Sequence, residues 1–293
     1  MRVLSAAALV TALATAGCAP ESAETPTRSS SQALVLADVG ADLVHRYDCT
    51  TGARLEAGFA LAPVAGPAGL TPSQDGEALY VSSFDTHAVT RFGAAEGEQS
   101  RVLFADPSLL EEPVAITPYD GDLLVLGNDS GNAVRLSTDG EVLDTFGRGF
   151  LRSPHDLAVG PDGLLYVANT AWRADVGLIQ VFDPDVGERV REFAFPDLLL
   201  DASSVAFDHD GTLLVSDWFG SRVLRLDPAS GDVLEVVLES DDGLDRPFDL
   251  VVGDEALFLI DGPDVLRADE QGLATLVHGE DHGLDWPRTL QLL

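Results

Sequence analysis

Lysine is missing from this chain: all 17 basic residues are arginine, set against 49 acidic ones, for a formal net charge of −32. A balance so far to the acid side disfavours nucleic acid and anionic membrane surfaces as partners. Cysteine is nearly missing as well, with Cys18 and Cys49 only, so no disulfide framework organises the fold. Beyond residue 17 there is no long apolar run and no stretch with the 3.6-residue period of an amphipathic helix, which leaves an all-β class.

What fills the chain instead is a repeat. Six times a phrase recurs: a proline or its stand-in, two variable residues, an aliphatic, often an Asp-Gly turn, then an aliphatic run ending in a small or polar residue. The copies start at Pro67, Pro113, Pro154, Ala202, Pro247 and Pro287, at spacings of 46, 41, 48, 45 and 40 residues. A four-stranded propeller blade takes about 40–50 residues. In the clearest copy, two apolar runs, Leu157-Ala158-Val159 and Leu164-Leu165-Tyr166-Val167-Ala168, flank Asp162-Gly163, a pair that favours a tight hairpin. Third-strand runs follow at 88–92, 132–136, 177–183 and 222–227, and weaker fourth runs at 141–146 and 232–238.

The two ends are complementary. Residues 33–59 hold second- and third-strand phrases with no first strand before them, and residues 287–292 are a first strand alone. Joined, they complete one blade. The sequence therefore predicts a six-bladed β-propeller of four-stranded antiparallel blades over residues 33–293, its ring sealed when the C-terminal strand completes the first blade. Closure of this kind removes the open sheet edge that invites aggregation.

The phrase resembles that of the NHL-repeat, YVTN-repeat and SMP-30/gluconolactonase-like six-bladed propellers. The resemblance implies an architecture but no single activity, because these groups include lactonases, lyases and interaction modules. In SMP-30-like lactonases, metal ligands occupy the position after a blade's first proline, and in the amidating-lyase propellers histidines gather similarly. Here those positions hold Ala68, Val114, His155, Ser203, Phe248 and Arg288. One histidine among apolar and basic residues falls short of the roughly three protein ligands a metal site requires. His155 is expected to be a structural histidine at the channel mouth, with Asp156 on the opposite face of its strand.

The N-terminus carries a separate signal. Arg2 precedes an apolar stretch, Val3 to Gly17, too short to span a bilayer at about 20 residues, and it ends in Thr15-Ala16-Gly17-Cys18. This resembles a bacterial lipoprotein signal, with Thr15 where a leucine is usual. Residues 1–17 are then the signal peptide, Cys18 the lipidated first residue, and residues 18–32 a Pro-, Ser- and Thr-rich tether. Ala19 after the cysteine resembles lipoproteins sent to an outer membrane, so the expected location is the cell envelope, with membrane contact through the lipid alone. Cys49 is then left without an internal partner.

Candidate functional residues lie in the loops that lead into first strands and leave second strands, which share one face of the ring. The lead-in loops 239–246 and 279–286 are acid-rich, and Asp241, Asp245, Asp281 and Asp285, with Asn169 and Asp217 at second-strand ends, form a candidate Ca²⁺ ligand set. The strand-end residues Asp38, Ser83, Asn128, Asn169, Asp217 and Asp261 have a structural reading too, as acceptors for loop backbone donors. The loops after Asn169 and Asp217 carry Trp172, Arg173, Trp218 and Phe219, expected side by side near Arg152 and His155 as a ligand site. The function expected is that of a monomeric, lipid-anchored envelope propeller that binds a protein partner or small ligand on its loop-rich face. The alternative is a metal-dependent lactonase or hydrolase.

Overall fold

A computed structural model describes residues 33–55, 64–93, 100–170, 177–195 and 198–293. The signal peptide, the tether, Cys18, Trp172 and Arg173 lie outside the described residues. The first blade contains β1 (Ala33–Asp38) and β2 (Leu43–Asp48). The second is β3 (Pro67–Pro72), β4 (Ala78–Ser83), β5 (Ala88–Gly93) and β6 (Arg101–Ala105), and the third β7 (Pro113–Tyr119), β8 (Asp122–Gly127), β9 (Asn132–Leu136) and β10 (Val142–Phe146). The fourth is β11 (Pro154–Val159), β12 (Leu165–Thr170), β13 (Gly177–Asp183) and β14 (Glu188–Ala194). The fifth is β15 (Ala202–Phe207), β16 (Leu213–Asp217), β17 (Arg222–Leu226) and β18 (Val233–Leu238). The sixth is β19 (Pro247–Val252), β20 (Leu257–Asp261), β21 (Asp264–Asp269) and β22 (Gly272–Val277), after which β23 (Pro287–Leu292) returns to the first blade.

The molecule is a six-bladed β-propeller. Blades two to six are antiparallel meanders of four strands, and the first is ordered β2–β1–β23, with Arg54 bridging to Tyr47 on its outer side. β23 pairs antiparallel with β1, Leu36 facing Leu290. Inner strands contact one another in a closed cycle, β23–β3–β7–β11–β15–β19–β23.

The core is distributed around this ring. Six buried clusters lie one at each blade-to-blade interface, such as Tyr166, Ala168 and Ile179 against Val205, Leu213 and Leu224 between blades four and five. Second strands are covered on both faces, which is why they read as unbroken apolar runs: every residue of β1, β4, β12 and β16 is buried. Outer strands such as β14 face solvent and carry charge. Helical structure among the described residues is limited to two single turns, both inside lead-in loops. Ser240–Asp242 forms a 3₁₀ turn with a Glu239–Asp242 capping box, and Gly279–His282 forms one α-turn. Each is stopped by a glycine in the left-handed region, Gly243 at φ 103° and Gly283 at φ 68°.

Candidate functional site at the channel mouth

A register slip at the same place in all six blades builds the site. Pro154 pairs with Asn169 and Asp156 with Ala168, so His155 is the extra residue of a bulge. Ala68, Val114, Ser203, Phe248 and Arg288 are skipped in the same way. A bulged residue leaves the ladder and its side chain is re-aimed. Here the six sit where the inner strands enter the ring at the loop-rich face.

Three of them meet across the axis. His155 on β11 and Phe248 on β19 are separated by a whole blade, yet their rings pack edge to face at 6.1 Å. The Arg288 guanidinium lies over Phe248 at 4.1 Å and over the Trp286 ring at 4.9 Å. Trp218 meets Phe248 edge-on at 5.8 Å and stacks on Phe219 at 5.1 Å. Trp218 is half-buried against the core between blades six and one, whereas Phe219 is 65% exposed and Trp286 49% exposed. The outcome is an aromatic cluster centred on Phe248, with one guanidinium in it and two open rings at its rim.

Immediately below this layer the residues at the next position reach sideways to the following blade. Asp156 Oδ2 accepts the Val205 N–H at 3.0 Å, Ser204 Oγ accepts the Leu250 N–H at 3.4 Å, and Asp249 Oδ2 accepts the Leu290 N–H at 2.7 Å. Thr289 continues the series by donating its hydroxyl to the Ala68 carbonyl. These side chains tie inner strands together where sheet pairing cannot. Ser204 Oγ also sits 2.7 Å from Asp156 Oδ2 and 2.7 Å from Asp249 Oδ1. A hydroxyl has one proton to give, so both contacts are satisfied only when one carboxyl is itself protonated and donates back. Burial, reinforced by the Asp156 charge, pushes Asp249 up to about 8, and burial raises Asp156 as well. Below them the channel opens into a cavity of about 370 Å³ lined by all six inner strands.

Electrostatics at the mouth follow from burial too. The His155 imidazole is pushed down to about 4 by burial and then by the Arg288 charge, and its Nδ1 is buried without a hydrogen-bond partner among the described residues. Burial lowers Arg288 to about 10 against the opposing pull of Asp249 and Asp201. The guanidinium therefore stays charged, and the histidine stays neutral, at neutral pH.

The other candidate residues are distributed differently. Asn169 Oδ1 accepts the N–H groups of Arg152 and Ser153 at 2.9 and 3.3 Å, and Asp217 accepts those of Leu200, Asp201 and Gly220 as well as Arg222 Nε at 3.2 Å. Asp261 and Asp38 hold the lead-in loops of their own blades in the same manner. Four strand-end acceptors thus clamp four lead-in loops, and the oxygens of Asn169 and Asp217 are committed to that task. Asp241, Asp281, Asp285 and Asp245 are exposed, and among the described residues no three His, Cys, Asp or Glu side chains converge to hold a metal ion. The structure does not bring the calcium candidates together. Arg152 is exposed at the rim and is held through its backbone.

Arg288, Phe248 and Trp286 are the mouth residues that ligand-by-ligand reading passes over. Arg288 and Phe248 occupy the right repeat position but do not look like metal ligands, and the signal lies in treating that position as a ring of converging side chains. A larger groove of about 610 Å³ lies at the opposite end of the ring between blades five and six. Its arginines are already engaged, Arg225 with Asp208 at 2.6 Å and Arg267 with Asp269 at 2.8 Å.

Solved structures share this architecture. A chain of a nidogen/laminin complex superposes with a TM-score of 0.73 at 20% identity, over 89% of this chain and 98% of that one. A catalytically inactive virginiamycin B lyase from Staphylococcus aureus with quinupristin gives 0.61 at 17% identity, over 80% and 75%. A protein of unknown function from Bacteroides caccae gives 0.68 at 16% identity, over 90% and 99%. No family model matches the sequence, and no curated protein matches it. At these identities the likeness carries the fold alone.

Proposed function

We propose that this chain is a binding propeller that holds a small ligand, or a side chain of a protein partner, at the loop-rich mouth of its channel. One observation carries the reading. His155 and Arg288, bulged residues of separate blades, converge with Trp218 on Phe248, while Phe219 on Trp218 and Trp286 beside Arg288 leave large aromatic surface open to solvent. Aromatic and arginine side chains of this kind supply contact area at low entropic cost and dominate recognition sites. Both interaction and ligand chemistry occur on this fold, as the nidogen/laminin complex and the lyase with quinupristin illustrate. A metal-dependent lactonase would need several ligands around His155, and the side chains beside it are Phe248 and Arg288. The sequence adds a location: a lipid on Cys18 and a tether of residues 18–32 would hold the propeller at a membrane surface of the cell envelope, acting as a monomer.

The test uses a panel of small aromatic probes titrated against the full chain, followed by intrinsic tryptophan fluorescence. Phe219→Ala and Trp286→Ala are each expected to weaken binding by more than about 1 kcal/mol while leaving the melting temperature unchanged. Loss of thermal stability with undiminished binding would make these rings packing caps and end the proposal.

A further inference from the structure

The geometry points to Arg288 as the anion-recognising group of the mouth, and to a small aromatic carboxylate as the class of ligand it takes. This inference rests on the binding reading above and adds the chemistry of the ligand.

The guanidinium carbon of Arg288 lies over the Phe248 ring at 4.1 Å and over the Trp286 ring at 4.9 Å. That group carries five N–H donors, and an aromatic ring takes none of them as a carboxylate would. Among the described residues, no carboxylate lies within ion-pair distance of it and no acceptor takes its protons. Asp249 and Asp201 act on it only at longer range. This contrasts with Arg135, Arg189, Arg191, Arg222, Arg225 and Arg267, each paired to an acid. In a chain of net charge −32, a half-buried guanidinium whose donors have no acceptor among the described residues is a departure that needs a counter-group.

The fork of an arginine matches a carboxylate bidentately. Beside that fork lie the rings of Phe248 and Trp286; Trp218 and neutral His155 pack on Phe248, and Phe219 stacks on Trp218, extending the aromatic surface. The ligand that satisfies both halves has one carboxylate joined to a planar ring. Overall charge excludes polyanions at the same place, since the acidic surface repels every additional negative group. The buried Asp156 and Asp249 beneath the mouth set a floor that a second carboxylate would not approach.

Phenylacetate and its neutral isostere phenylacetamide, titrated into the full chain by ligand-observed NMR, test this directly. The acid is expected to bind about tenfold more tightly than the amide, and Arg288→Gln is expected to abolish the difference while retaining amide binding. Arg288→Lys keeps the charge and the stem but loses the fork, and an intermediate preference is expected. It serves as the readout if the glutamine variant does not fold. Equal binding of acid and amide, or a preference that survives Arg288→Gln, would overturn the anion assignment and leave the aromatic mouth standing. Failure of both probes to bind at millimolar concentration would overturn the anion assignment and, with a negative aromatic panel, the binding reading as well.

Discussion

Asp156 and Asp249 stand on inner strands two blades apart and share one hydroxyl: Ser204 Oγ is 2.7 Å from each. One serine proton cannot serve two carboxylates, so the pair retains a proton of its own.

A pH dependence follows, and its sign is set by the raised value of Asp249, about 8 in the folded protein. An aspartate raised on folding binds more protons in the native state than in the unfolded one between about pH 4 and pH 8. Its contribution to stability is complete below the unfolded value, declines through that window, and is gone above pH 8. The melting temperature of the wild type, compared with Asp249→Asn, is expected to fall more steeply from pH 5 to pH 8. Asparagine retains a donor for Ser204 and an acceptor for Leu290 without titrating. Parallel melting curves across that range would refute the shared proton.

Ring closure is tested at Leu290, which is buried and faces Leu36 across the terminal seam. Leu290→Ala is expected to cost about 2–5 kcal/mol by cavity formation. Deleting residues 287–293 removes the inner strand of the first blade and exposes two sheet edges, which takes away a large part of a typical total of about 5–15 kcal/mol. A truncated chain that melts at the wild-type temperature would rule out the seam.

The lead-in clamps separate structural acid from surface acid. Asp217 is fully buried and holds three backbone donors and Arg222, so Asp217→Ala is expected to cost roughly 3–5 kcal/mol, in the range for breaking a buried pair. Asp241 is exposed, and Asp241→Asn is expected to stay within about 0.5 kcal/mol. Chemical denaturation of the two variants checks both values.

Calcium has a direct assay. Because the oxygens of Asn169 and Asp217 are taken by loop N–H groups, millimolar Ca²⁺ is expected to leave the melting temperature unchanged. A rise abolished by Asp241→Asn with Asp281→Asn would restore the calcium reading through mass action.

The anchor is tested by partition. Cys18→Ala is expected to move the protein from the detergent phase to the aqueous phase, since acyl chains would supply its membrane affinity. Wild-type protein already in the aqueous phase would dismiss the lipoprotein signal.

Much of the architecture was legible in the sequence because its causes are local. An apolar run buried on both faces, often an Asp-Gly turn, and a proline or its stand-in Ala202 at the start of each first strand recur with the length of a blade, and the unmatched halves at residues 33–59 and 287–292 announced the seam. The strand-end acceptors Asp38, Asn169, Asp217 and Asp261 were readable as well, since a side-chain oxygen at that point has loop donors in reach, whereas Ser83 and Asn128 donate to the Ala65 and Pro154 carbonyls. The two helical turns escaped because a single turn stopped by Gly243 or Gly283 is too short to show a period.

The mouth was less legible. Trp218, Phe219 and His155 were marked as candidates, but Phe248, which joins Trp218 to His155, and the guanidinium of Arg288 were not. Strict alternation along β11, β19 and β23 does not reveal that each first strand bulges one residue after its start, and that bulge is what turns His155, Phe248 and Arg288 toward one another. The chain by itself determined the blades, their number and their closure, because hydrophobic periodicity and turn chemistry act between near neighbours. Only the closed ring decided which side chains from blades four, five, six and one meet at the axis, and only burial there decided that Asp249 keeps a proton while Arg288 keeps its charge, because convergence and desolvation exist only once the blades are packed.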